Sequence, residues 1–111
     1  MRPMTDANLH AAFAGESQAH MRYLVFADRA EREGKPSVAR LFRAISFAEQ
    51  VHATKHLRTL GEVKDTAQNL QAAINGETYE FTEMYPAYKA VAELEAEKQA
   101  AQSADWALQA E

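Results

Sequence analysis

The sequence predicts an all-α protein, and three observations lead to that class. Apolar residues recur three and four positions apart over long stretches, whereas alternation with a period of two is absent. Only four glycines and three prolines interrupt the 111 residues, and they divide the chain into long segments. Short connections between long helices favour an antiparallel four-helix bundle. A chain of this length is expected to form a single domain over residues 1–111.

The first two helices have recognisable starts and stops. The first is predicted over residues 5–33, with a capping residue at Thr5 or Asp6 and a stop at Gly34. The second is predicted over residues 36–60, because the proline that opens it suits a first helical turn. A glycine follows directly after it, which is a common helix stop.

The third and fourth helices share the remainder of the chain. The third starts near residue 66 and continues past Pro86 to Glu93 or Glu95, and the fourth starts at about Lys98. The sequence stops at Glu111 in mid-helix. A fourth helix of about 14 residues spans about 21 Å, whereas the first reaches about 40 Å. We therefore expect the fourth helix to be truncated here and the natural chain to continue.

Carboxylates interrupt the apolar stripe of every predicted helix. Burying one unpaired carboxylate costs several kcal/mol, and five would exceed the roughly 5–15 kcal/mol by which domains are stable. Lysine and arginine do not occupy matching positions in number, so metal cations are the expected partners. Oxygen-rich sites with one or two imidazoles suit iron or manganese, and two divalent cations balance four or five carboxylates. The polar residues on these stripes are Glu16, Glu49, His52, His56, Glu77, Glu80 and Glu111.

Composition excludes several other classes. The chain has no cysteine, which excludes disulfides, a cysteine-based zinc site, a built-in rubredoxin-type iron centre and a thiol nucleophile. The formal charge is −4 and no basic patch is present, so nucleic acid is not an expected partner. The N-terminus lacks the apolar core of a signal peptide, and no run approaches the roughly 18 apolar residues of a membrane span. A cytoplasmic protein is expected.

Three stretches of the sequence resemble rubrerythrin, a ferritin-like di-iron peroxidase family. They are NLHAAFAGESQAHMRY, LFRAISFAEQVHATKHL and NLQAAINGETYEFTEMYP, and GESQA followed by GETYEFTEMYP is specific to that family. The family site takes single carboxylates from two helices and an E-x-x-H from each of the other two. By motif position the resemblance implies the metal ligands Glu16, Glu49, His52, Glu77, Glu80 and Glu111. Spacing alone leaves open whether Glu77 with Glu80 or Glu80 with Glu83 forms the third-helix pair.

The resemblance also implies catalytic roles. Glu80 and His52 would exchange as ligands of one iron between oxidation states, while Tyr23 and Tyr85 would hydrogen-bond ligand carboxylates. Glu83 would lie beside the site. The implied reaction is the reduction of hydrogen peroxide to water by two iron ions, for which manganese or zinc could substitute. The sequence alone places His20 at a bundle edge and His56 at the surface or next to a ligand.

Departures from the family pattern shape the remaining expectations. The rubredoxin domain of full-length members is absent, so a separate rubredoxin-like protein would donate the electrons. Ala96 stands where the family usually has glycine, so the third and fourth helices could run on as one and exchange the last helix within a homodimer. Two alternatives stay open, namely a ferritin-like iron oxidation and storage protein and a metal-free helical interaction module.

Overall fold

Helices account for all the regular secondary structure in residues 1–110, which are the residues that the computed structural model describes. The predicted all-α class is confirmed over this range. The chain divides into two units, residues 1–63 and residues 64–111. None of the described helices combines the length and the apolar content needed to cross a membrane.

The first unit contains α1 (Pro3–Arg32) and α2 (Pro36–Thr59). Both helices carry a proline in the first turn, where its missing N–H is not needed. The predicted cap at Thr5 or Asp6 is wrong, because α1 begins at the earlier proline and its N-cap residue Arg2 makes no side-chain cap bond. The proline fixes a helical φ and has no N–H, so the first turn has one fewer amide for a capping side chain to satisfy.

The turn after α1 is a Schellman motif. Gly34 has φ 72°, its N–H donates to the Glu31 carbonyl oxygen at 3.0 Å, and the Lys35 N–H donates to the Ala30 carbonyl oxygen at 2.8 Å. Gly61 has φ 75° and ends α2 in a similar way. Both glycines therefore act as predicted.

The two helices of this unit form an antiparallel hairpin. Near the turn Arg43 Nη1 lies 2.8 Å from Glu31 Oε1, and at the open end His10 Nε2 lies 3.0 Å from Glu62 Oε1. A residue late in α1 therefore pairs with one early in α2, and a residue early in α1 pairs with one just after α2, as in an antiparallel pair. Small side chains line the contact and let the helices approach closely. The buried residues of the hairpin are Ala27, Ala30, Ala39, Ser46 and Ala53.

A polar link fixes the middle of the hairpin. Ser46 is 1% exposed, and its hydroxyl donates to the His20 carbonyl oxygen at 2.8 Å. His20 Nδ1 in turn lies 2.9 Å from the Ser46 carbonyl oxygen. Each bond joins a side chain of one helix to a backbone carbonyl of the other, at the same level of the hairpin. They therefore help to set the register between the two helices.

The second unit contains α3 (Thr66–Tyr79), a π-helical turn (Glu80–Met84), α4 (Tyr85–Leu94) and α5 (Lys98–Ala110). Asp65 caps α3, since its Oδ1 accepts from the Gln68 N–H at 2.8 Å. The first three elements follow without a break and form the predicted third helix. No residue of α3 is buried.

The π-helical turn was not predicted, and a proline gives its physical reason. Pro86 has no N–H, and in a regular helix its ring would clash with the carbonyl group four residues earlier. The wider turn directly precedes it, and the Tyr85 N–H donates five residues back to the Glu80 carbonyl oxygen. The helix passes the proline by widening rather than by ending.

The predicted start of a fourth helix at about Lys98 is confirmed, and the alternative that the third and fourth helices run on as one is wrong. Ala96 takes the left-handed conformation with φ 60°, and the Glu97 N–H donates to the Ala92 carbonyl oxygen at 2.8 Å. Lys89 Nζ lies 2.7 Å from Asp105 Oδ1, which links α4 to α5. A left-handed alanine costs about 1–2 kcal/mol. The Schellman hydrogen bonds and the packing of α5 on α4 offset this cost. A fused helix was the reason to expect that the last helix is exchanged between subunits. The observed turn removes that reason for an exchange of α5 by itself.

Candidate metal centre

Three of the predicted ligands converge in the α1–α2 hairpin. Glu16 lies on α1, and Glu49 and His52 lie on α2 three residues apart, so they share a face. One ligand atom from each of the three lies within 4.8 Å of the others. His52 Nδ1 is 3.3 Å from Glu16 Oε1 and 3.9 Å from Glu49 Oε2. The hairpin alone therefore assembles two carboxylates and an imidazole.

Small residues make this convergence possible. Ser46 and Ala53 are buried three residues before and four residues after Glu49, on the face of α2 that meets α1. Because neither side chain separates the helices, Glu49 is held at the level of Glu16. The carboxylates are therefore positioned by backbone packing rather than by loops.

The site is half-buried and has few counter-charges of its own. The side chains of Glu16 and Glu49 are 27% and 20% exposed, and that of His52 is 54% exposed. Within residues 1–110 the ion-pair partners of both carboxylates are histidines, not lysine or arginine. Carboxylate oxygens with an imidazole nitrogen form a donor set that fits iron or manganese. A divalent cation is the counter-charge that this arrangement can accept.

His56 makes a contact that the sequence analysis left unassigned. Its Nε2 lies 2.5 Å from Glu16 Oε2, and both side chains are 27% exposed. The contact is short, yet Glu16 Oε2 is buried without a partner in hydrogen-bond geometry. The His56 ring thus lies beside the Glu16 carboxylate without forming a hydrogen bond to Oε2. The signal in the sequence was the position of His56 one turn after His52.

Glu77 and Glu80 belong to the second unit. Glu77 lies on α3 and is exposed, and Glu80 opens the π-helical turn and is half-buried. Glu83 is exposed within the same turn, and the Tyr85 ring packs edge-on against Tyr88 at 6.4 Å. Glu111 lies outside the described residues. That Glu77, Glu80 and Glu111 share one centre with the hairpin ligands stays a prediction.

The π-helical turn falls at the predicted ligand Glu80. Such turns insert one residue into a helix and occur frequently at functional sites. The insertion changes the direction of the residues after it relative to Glu77 and Glu80. A proline in mid-helix, Pro86, is the sequence signal that could have indicated it.

Two further residues from the sequence analysis, His20 and Tyr23, follow Glu16 on α1. Tyr23 is seven residues after Glu16, which is two helical turns, and its ring lies 6.0 Å from the Phe42 ring. Phe26 completes this aromatic cluster at 5.6 Å from Phe42. His20 uses Nδ1 in the link to Ser46. Its structural role is therefore clear, while the catalytic role of Tyr23 stays a prediction.

A helical chain that gathers two carboxylates and an imidazole between its first two helices has the features of the ferritin-like class of metal-carboxylate proteins. The comparisons then define the family. The sequence matches the family model for rubrerythrin over residues 7–111. The chain therefore belongs to the rubrerythrin family, which binds a di-iron centre. The predicted resemblance is confirmed.

Curated relatives agree with this assignment. Rubrerythrin-2 of Clostridium acetobutylicum is 40% identical, over 97% of this chain and 66% of the relative. Rubrerythrin of Porphyromonas gingivalis is 38% identical, over 87% of this chain and 55% of the relative. Rubrerythrin of Nitratidesulfovibrio vulgaris is 35% identical, over 82% and 54%. The chain thus spans between about half and two thirds of the length of these relatives.

Proposed function

We propose that the chain is a di-iron peroxidase that reduces hydrogen peroxide to water with electrons from a separate rubredoxin-like protein. The main support is the convergence of Glu16, Glu49 and His52 in a chain of the rubrerythrin family. Structural zinc sites are usually rich in thiolates, whereas this donor set is rich in oxygen. The 111 residues contain no cysteine, so an iron–thiolate centre that passes electrons to the site would lie outside them.

The proposed roles follow from the chemistry of the donor groups. A pair of ferrous ions, when bound, supplies two electrons and stabilises negative charge on both peroxide oxygens. Hydrogen peroxide then takes up two electrons and two protons and gives two waters. The residues that would hold the pair are Glu16, Glu49, His52, Glu77, Glu80 and Glu111. Of these, Glu80 and His52 are proposed to alternate as ligands, with Tyr23 hydrogen-bonding a ligand carboxylate.

We further propose that the active form is a homodimer. The side chains of Leu70 and Ile74 on α3 are 59% and 56% exposed, and the core is built of alanines and one serine. Such exposed apolar side chains on one helix are typical of interfaces between subunits. If helices are exchanged in the dimer, α4 and α5 are exchanged together, because the Ala96 turn and the Lys89–Asp105 ion pair keep α5 with α4. The cytoplasm stays the predicted location.

Metal analysis is the first test of the proposal. The chain is purified without air, loaded with ferrous iron and freed of excess metal, and its iron content is measured by mass spectrometry. About two irons per chain are expected from the ligand set of the class. Glu49→Ala should reduce this content, and Glu93→Ala, at an exposed carboxylate of α4, is the matched control. A chain that retains no iron would end the proposal.

Turnover is the second test. Peroxide consumption is followed with a reduced rubredoxin as electron donor, and both Glu49→Ala and Glu77→Ala are expected to abolish it. Particle mass, measured on the same samples, separates a dimer from the closed shell that iron storage requires. Iron binding without peroxide turnover would retain the metal site but contradict the peroxidase assignment.

A further inference from the structure

His56 is not among the proposed metal ligands, but it makes a polar contact with one of them, Glu16. Its Nε2 lies 2.5 Å from Glu16 Oε2, on the carboxylate oxygen that does not face His52. The other oxygen, Oε1, lies 3.3 Å from His52 Nδ1. The two oxygens of one carboxylate thus face different imidazoles. This arrangement gives them different environments.

The position of His56 indicates a neighbour of the site rather than a ligand. The described donor atoms that lie within 4.8 Å of one another come from Glu16, Glu49 and His52, and His56 is outside this group. An imidazole that bound the same cation would have to join them. His56 instead contacts the far side of Glu16, where a ligand carboxylate is commonly held by a second polar group.

Glu16 needs such a partner. Its Oε2 is buried and has no hydrogen bond of acceptable geometry, and a buried acceptor left in that state is costly. His56 Nε2 is already within reach, and rotation of an imidazole about its second side-chain torsion is soft. Rotation about this torsion changes the direction of the imidazole N–H relative to Oε2.

We infer that His56 is a positioning residue that holds Glu16 Oε2 and leaves Oε1 as the single oxygen offered to the cation. The inference rests on the proposed metal site and adds to it a group that fixes how Glu16 binds. His56 supplies a hydrogen-bond donor rather than a nitrogen lone pair. A glutamine at this position can provide the same donor.

The test measures cobalt(II) binding to the full chain, because cobalt(II) reports its ligands in its absorption spectrum. His56→Ala is expected to weaken cobalt binding about 10-fold, within the range found for groups that support ligands. His56→Gln is expected to stay within about 3-fold of wild type, since its amide restores the donor. His10→Ala is the matched control, because His10 also contacts a carboxylate, Glu62, but far along the hairpin. Helix content from circular dichroism accompanies every variant.

The outcomes separate this inference from the proposed function. If His56→Gln binds as weakly as His56→Ala and the cobalt spectrum loses a nitrogen ligand, His56 is a ligand and the positioning role is wrong. If His56→Ala binds like wild type, His56 has no role in the site. If wild type itself binds no cobalt and no iron, the metal site fails and the role of His56 fails with it.

Discussion

Replacing Ala96 by glycine should stabilise the protein. Ala96 is held at φ 60°, in the left-handed region that costs an L-residue about 1–2 kcal/mol. Glycine removes that cost but adds about 0.4–1 kcal/mol of conformational entropy to the unfolded chain. The difference is a gain of about 0.5–1 kcal/mol in the free energy of unfolding, which corresponds to about 2–5 °C in melting temperature.

The assay is thermal and urea unfolding of Ala96→Gly, followed by circular dichroism at one protein concentration and one metal content, since both shift apparent stability. Gly34→Ala and Gly61→Ala are the matched controls. Their φ values are 72° and 75°, and an added Cβ would meet nothing within 4 Å, so they test backbone conformation alone. Each should lose about what Ala96→Gly gains. If the controls lose stability and Ala96→Gly gains none, the left-handed turn between α4 and α5 is wrong.

Two further predictions concern the hairpin. The Asp6 carbonyl oxygen, and then the Glu62 carboxylate, raise the pKa of His10 above its ordinary value. Its contribution to stability is therefore complete below the unfolded pKa and is lost as the pH rises through the folded pKa. An NMR titration should show that Glu62→Gln lowers the pKa of His10, and an unchanged value would contradict the contact. Ser46→Leu should destabilise the chain by about 1–3 kcal/mol through overpacking, whereas Ser46→Ala should cost only about 1 kcal/mol. Urea unfolding distinguishes them, and equal losses would mean that the helices do not approach closely at this position.

Helix positions were largely predictable because local signals determine them. Gly34 and Gly61 provide left-handed helix stops, and their φ values confirm that reading. The break before Lys98 was predicted, but the left-handed conformation of Ala96 was not, because packing of α4 on α5 overrides its local cost. The π-helical turn was not predicted for a related reason. Pro86 is incompatible with a regular helical turn, but the sequence alone does not determine whether the helix ends before it or continues through a wider turn.

The candidate site was predictable as far as helical spacing determines it. The E-x-x-H spacing places Glu49 and His52 on one face of α2, and the hairpin brings Glu16 to them. The contact between His56 and Glu16 was not derivable, because it depends on the register of α1 against α2. The Ser46–His20 hydrogen bonds help to set that register, and the sequence alone does not show that these two residues are in contact.

The close approach that forms the hairpin site also limits the stability of the hairpin. Alanine and serine at the contact bring Glu16 within reach of His52, but they bury little apolar area compared with leucine or phenylalanine. The same geometry sets two half-buried carboxylates close together, which opposes folding unless a cation is present. A ligand that binds only the folded chain stabilises it in proportion to the logarithm of its concentration over its dissociation constant. We therefore expect bound metal to raise the melting temperature of wild type and to raise that of Glu49→Ala much less. An equal rise in both would mean that the cation binds elsewhere.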